Sequence, residues 1–252
     1  MDIVPITHQD RLRVGGALVV LLYAVYSGTG IWMASSGRPL YTLATPLDVV
    51  PFTPWASLAY LWLFPQVLAP LVVIQDRRVL RRAAGAYAFL IACGLPFWLV
   101  FPVTVPRSPV PVTDLGSWGL ALTRFIEPPT NCFPSMHVAE SVLAAALVAR
   151  HDRLVGRLLY GTAAVVTWST MALGQHWAAD ALFGAALALV ADHLFFTRRP
   201  LPPHATPAAP RWHHLFWVAV YVLLFAGASV PYWAGLLTPA DLGAPAGFDG
   251  SH

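Results

Sequence analysis

The sequence predicts an all-α fold, a polytopic bundle of membrane-crossing helices, and three observations carry that expectation. Of 252 residues, 57% are hydrophobic and 11% charged, whereas a soluble globular chain carries roughly 25% charged residues. Apolar runs recur along the chain at lengths near the ~20 residues that a helix needs to cross hydrocarbon. Arginine gathers in alternate connections between those runs, as an orientation signal does. Lipid offers no partner to the backbone of an open strand, so the runs read as helices.

Stretches free of Asp, Glu, His, Lys and Arg cover 14–37, 49–75, 83–106, 158–175 and 215–240. Two further apolar segments, 133–149 and 177–196, are interrupted by His137 and Glu140, and by Asp180, Asp192 and His193. Seven candidate spans result. Arg11 and Arg13 precede the first, and Ala34-Ser35-Ser36 follow it, but its apolar core is too long for a cleaved signal, so it reads as an uncleaved anchor. Pro65, Pro70, Pro96 and Pro102 predict kinks in spans two and three. Cys93 lies mid-way along the third span and Cys132 near the start of the fourth; at different depths they suit no disulfide, and two cysteines make no metal pattern. The first six spans form a unit at 1–199. A Pro-rich linker at 200–214 leads to the seventh span at 215–240, and 241–252 reads as a flexible tail.

All 15 strongly basic residues are Arg; twelve fall on one side of the bundle, and Arg38, Arg107 and Arg124 on the other. The positive-inside rule then puts the N-terminus and the loops after spans two, four and six in the cytoplasm. Absent Lys and abundant Ala fit a GC-rich bacterial genome, so the expected location is a bacterial cytoplasmic membrane. The net charge of +3 comes without a basic cluster interleaved with aromatics, so nucleic acid is not an expected partner. Trp118 and Trp177 are expected in an interfacial aromatic belt.

Ionisable groups inside a bilayer are costly and mark function. Span four runs inward from the outer face, which places Ser135 and His137 at its outer end. The turn near Gly174-Gln175 puts His176 and Asp180 at the same face. If the helix starts at His176, these two residues stack one turn apart. Asp180 then accepts from one ring nitrogen and leaves the other with its lone pair, a nucleophile, while His137 protonates a departing oxygen. The N-terminus of span four offers unpaired N–H groups to an anion, with Pro134 in its first turn. Ser135 either cradles phosphate or caps the helix. Arg107 supplies counter-charge to phosphate or anchors to headgroups, with Arg124 as the other candidate. Gln175 binds substrate or simply turns the chain. Glu140, three residues after His137, orients it, binds an acceptor alcohol or pairs with another span. Two rival readings remain: a metal-dependent hydrolase using the His/Asp cluster, and a transporter with a His/Asp proton relay, for which no inverted repeat is visible.

Pro134-Ser135-Met136-His137, followed by Ser169, His176 seven residues on and Asp180 four beyond, resembles the type 2 phosphatidic acid phosphatase superfamily. That family carries Pro-Ser-x-His and Ser-Arg-x5-His-x3-Asp motifs on a six-helix membrane core, and the resemblance spans about 102–191. It implies His176 as a phosphohistidine-forming nucleophile, Asp180 as its orienter, His137 as acid/base, Ser135 as a phosphate ligand, and no cofactor. Two features depart from the pattern. The family's Lys-x6-Arg-Pro motif is absent, leaving Arg107 as the stand-in, and Thr170 occupies the usual Arg position. The wording around both histidines is more similar to the inositol phosphorylceramide synthase-like branch. The implied partner is a lipid phosphate or phospholipid, with water or an alcohol such as inositol as acceptor.

Overall fold

The computed structural model describes residues 4–200 and 213–234, and among these it is helical with no strand, only two isolated bridges. The helices are α1 (His8–Ser35), α2 (Ala56–Val73), α3 (Arg77–Val100), α4 (Leu115–Ile126), α5 (Met136–Ala149), α6 (Arg153–Ala172), α7 (Ala178–Thr197) and α8 (His213–Trp233). Each of the seven expected spans contains a helix. Among the described residues four are long and apolar enough to cross a membrane, namely α1, α2, α3 and α7, while α5 is apolar but has 14 residues. Most of the expected linker and all of the tail at 241–252 lie outside the described residues.

Absence of charge proved a loose guide to helix ends. Residues 49–53 are not helical, and α3 stops at Val100 although the charge-free run continues to 106. The reason is Pro102: a residue before proline is pushed out of the helical region, and Phe101 adopts φ −133° and ψ 65°. The chain beyond is extended enough for Val103 to bridge Tyr41. Pro70 and Pro96, by contrast, lie inside continuous helices.

The helix α4 was not among the expected spans. It sits in the long connection between α3 and α5, started by a reciprocal cap in which Asp114 Oδ1 accepts from Ser117 N at 2.8 Å and Ser117 Oγ accepts from Asp114 N at 3.0 Å. Its inner face approaches α2 closely at Gly119, beside Ser57. Trp118 is buried against Tyr232 of α8 rather than placed in an exposed belt.

At the centre stands α5. Its small side chains Ala139, Ala144, Ala145 and Ala146 are buried and let α2, α6 and α7 come near. Leu143 and Leu147 join Leu80, Leu90 and Trp98 of α3 in the main core. Outward, Leu154, Leu158, Val165 and Trp168 form an exposed apolar stripe along α6, a surface suited to lipid rather than water.

The helix ends meet in two layers. At one end the connections interlock: Tyr41 N donates to Pro102 O at 2.9 Å, Thr53 N to Ala172 O at 2.7 Å, and Ala178 N to Asp48 Oδ1 at 2.6 Å. Arg38, Arg107 and Arg124 all belong to this end. The opposite end carries the pairs Arg77–Asp10, Arg78–Asp76 and Arg150–Asp192.

Candidate active site

The interlocked end holds the polar motifs, and its scaffold begins with the N-terminus of α5. Ser135 is the N-cap, accepting from Val138 N at 3.4 Å, so Pro134 precedes the helix instead of occupying its first turn. Ser135 N donates to Asp180 O at 3.0 Å, tying α5 to α7. The two helices touch at Gly184, where a Cβ would stand 2.3 Å from Ser135 O. On the other side, Asn131 Nδ2 donates to Tyr26 O and to Thr29 Oγ1, so the chain before α5 is pinned to α1. Tyr26 belongs to a wider, π-helical stretch of α1 at Tyr23–Ser27.

The turn before α7 positions His176. Gly174 takes φ +62°, open to glycine at little cost, and Thr170 O then accepts from both Gln175 N and His176 N. The expected helical stacking of His176 on Asp180 needs correcting, because α7 starts at Ala178 and His176 lies before it. Asp180 still comes within 3.5 Å of His176 Nδ1, but Cys132 O is nearer at 2.9 Å, and Asp180 Oδ2 also accepts from Trp177 N at 2.9 Å.

These contacts assign the protons. A carbonyl oxygen can only accept, so His176 Nδ1 carries hydrogen, and in the neutral ring Nε2 then keeps its lone pair. With His176 neutral, His137 Nδ1, 3.0 Å from that Nε2, is the donor between the two rings. His137 Nε2 lies 3.0 Å from Glu127 Oε1, which also accepts from Tyr60 OH at 2.6 Å. With Glu127 ionised, His137 donates from both nitrogens and is an imidazolium. Burial pushes the Glu127 carboxyl up, but His137, Tyr60 and Arg107 together outweigh it and leave the group below its ordinary range. His176 is pulled below the usual imidazole value, chiefly by burial.

Arg107 reaches the same centre from the extended chain after α3. Its Nη1 donates to Glu127 O at 2.8 Å and its Nη2 to Gln175 Oε1. Arg107 Nε and Gln175 Nε2 are buried donors without a partner among the described residues. Arg124 turns away, donating to Ser108 O at 2.7 Å. Glu140 lines a cavity beside His137 and makes no hydrogen bond to a described residue. The structure thus gathers His137, His176, Asp180, Ser135, Arg107 and Gln175 and sets Glu140 next to them.

Glu127, Tyr60, Tyr26 and the Cys132 carbonyl escaped the sequence reading. For Glu127 a signal existed: it and Asp114 are the two carboxylates between spans three and four. A metal cluster of His137, His176 and Asp180 is not what the geometry presents. Cys132, His176 and Asp180 are the group whose ligand atoms lie within 4.8 Å of one another. Two of the three are already engaged, Cys132 Sγ with Pro129 O and His176 Nδ1 with Cys132 O, while Asp180 Oδ1 has no hydrogen-bond partner among the described residues.

A family model described as the PAP2 superfamily matches residues 44–194, more than half of the chain. The protein belongs to the PAP2 superfamily. The match runs from the connection before α2 through most of α7 and includes every residue of the network above except Tyr26 and Thr29. PAP2 members are phosphatases acting on phosphorylated substrates, so this is a membrane-embedded enzyme of that type. No curated protein and no solved structure gives a significant match.

Proposed function

We propose that this PAP2 enzyme transfers the phosphoryl or phospho-alcohol group of a lipid through a phosphohistidine on His176. The observation that carries the reading is the pair of rings, His176 Nε2 lying 3.0 Å from His137 Nδ1; with His176 neutral, its Nε2 lone pair faces the Nδ1–H of His137. That places a nucleophile opposite an acid, the arrangement that phosphoryl transfer in two steps needs. Phosphorus enters between the rings, so they separate as substrate binds.

In the first step His176 Nε2 attacks phosphorus and the bond to the leaving oxygen breaks, with the His137 Nδ1 proton going to that oxygen. In the second, an acceptor hydroxyl gives its proton to His137 and attacks phosphorus, the P–N bond breaks, and His176 recovers its lone pair. Cys132 O and Asp180 stabilise positive charge on the His176 ring, and Glu127, held by Tyr60, does so for His137. The two partnerless donors, Arg107 Nε and Gln175 Nε2, suit phosphate oxygens. The Ser135 hydroxyl accepts the cap bond and still has its own hydrogen to give. Arg107 therefore takes the place of the missing family cations.

The arginine asymmetry supports a site at the outer leaflet of a bacterial cytoplasmic membrane, with the N-terminus inside. Residues 1–199 would form the catalytic unit, with its motifs in 102–191 and α8 appended. The wording of the motifs favours the inositol phosphorylceramide synthase-like branch, with an alcohol such as inositol as acceptor, over phosphatidate-type hydrolysis by water.

The test is to incubate purified protein with phosphate-labelled phosphatidate and phosphatidylinositol, trap labelled protein, and follow products with and without alcohol. Acid-labile label on the wild type, lost in His176→Ala, is expected. Free phosphate marks water as acceptor and a new phosphodiester marks alcohol. Full turnover by His176→Ala would overturn the reading.

A further inference from the structure

Glu140 is nine-tenths buried, at 8% exposure, yet its carboxylate forms no hydrogen bond or ion pair with any described residue. A carboxyl group so placed costs free energy unless a donor reaches it. Open to it is a cavity of about 290 Å³ that begins at His137, Glu127 and Glu140 and descends between α1 and α2. Beyond those groups and the hydroxyl-bearing Tyr26 and Ser27 of α1 its lining is apolar, with Leu22 and Val19 of α1 facing Leu63, Val67 and Leu68 of α2. Val19 and Leu68 at its far end are 40% and 41% exposed on the bundle surface, so the cavity opens sideways toward lipid. From Tyr26 to Val19 the lining covers two turns of α1, about 10 Å, a length that takes an aliphatic tail.

The cavity ends at His137, while His176 is not among its lining residues. Under the two-step chemistry proposed above, the oxygen that meets His137 belongs to the departing or arriving alcohol, not to the phosphate. An occupant of the cavity is therefore that alcohol. Glu140 follows His137 by three residues on one helix face, about 5–6 Å away between Cβ atoms. The donor it receives lies within a carbon or two of the exchanging oxygen. A cationic donor would stand beside the His137 imidazolium, whereas a hydroxyl meets no such repulsion.

We propose that Glu140 is a specificity-determining residue: it accepts a hydrogen bond from a second hydroxyl of a lipid alcohol whose tail fills the α1–α2 cavity. The inference rests on the phosphohistidine reading. It makes the preferred substrate a single-tailed or hydroxyl-bearing lipid phosphate, distinguished from one lacking a hydroxyl beside the phosphate-bearing carbon.

Two lipid phosphates that differ in that hydroxyl alone test it: lysophosphatidate and its deoxy analogue, acyloxypropyl phosphate, given to the full-length protein in lipid nanodiscs. The wild type is expected to favour lysophosphatidate roughly ten- to a hundredfold in kcat/KM, the effect of one hydrogen bond to a charged group. Glu140→Leu removes the preference through KM while keeping turnover of the deoxy analogue, which also shows that the variant is folded. Glu140→Gln, close to Glu in shape and still an acceptor, keeps part of the preference and carries the test if the leucine variant does not fold. Equal use of both lipids by the wild type, or a preference undiminished in either variant, overturns the inference alone when turnover still depends on His176. Turnover of both lipids that survives His176→Ala overturns the phosphohistidine reading, and this one with it.

Discussion

Gly184→Ala probes the contact that sets α7 against the N-terminus of α5. The added Cβ would lie 2.3 Å from Ser135 O, roughly 1 Å short of a comfortable non-bonded distance. The obstacle is backbone, and Ser135 N is already hydrogen-bonded to Asp180 O at 3.0 Å, so no flexible side chain can yield. The helices must part by about 1 Å, at a cost of about 1–3 kcal/mol in stability. The same shift moves Ser135 and His137 relative to His176, and a 1 Å misplacement lowers a rate by about a hundredfold. Turnover of a labelled lipid phosphate by purified protein in nanodiscs, measured beside thermal unfolding, separates the two effects: the rate falls far more than stability. Gly161→Ala is the control, because its Cβ meets nothing within 4 Å and a helix gains about 1 kcal/mol from the change. Wild-type rate and stability in Gly184→Ala would refute the reasoning.

Glu127→Gln keeps the shape of the acceptor shared by Tyr60 and His137 but removes its charge; the loss of about 1–2 kcal/mol predicts a kcat lower by roughly five- to thirtyfold with little change in fold, and an unchanged kcat would exclude Glu127 from positioning His137. Asp76 caps α3 and pairs with Arg78, Arg78 contributing most to a pKa lowered to about 2. Because the folded value is depressed, its contribution of about 2 kcal/mol is complete above the unfolded value and lost as pH falls toward the folded one. Asp76→Asn is therefore expected to melt lower than wild type at neutral pH, with the gap closing as pH drops from about 5 toward 2; a gap independent of pH would show that Asp76 acts through something other than its charge.

How much was legible in the sequence follows from the kind of signal. Lipid forces every spanning segment to satisfy its own backbone, so apolar length alone located seven helices, and costly polar residues at their ends located His137, His176 and Asp180. Helix ends were less legible, as Phe101 before Pro102 shows, because lack of charge does not make a residue helical. The amphipathic α4 was hidden for a similar reason: its 12 residues are too few and too mixed to register as a span.

The chain by itself determined that this is a helical membrane protein, which side chains are chemically capable, and that they share one face. Only the tertiary structure decided their partners. The ring of His176 turns to the Cys132 carbonyl as well as to Asp180, Glu127 rather than Glu140 holds His137, and Arg107 spans from the Glu127 carbonyl to Gln175. Apart from His176–Asp180, each of these contacts spans ten or more residues and has at least one partner in a loop, and an irregular loop leaves no periodic trace. Its path is set by where it packs, which is known only once the bundle is assembled.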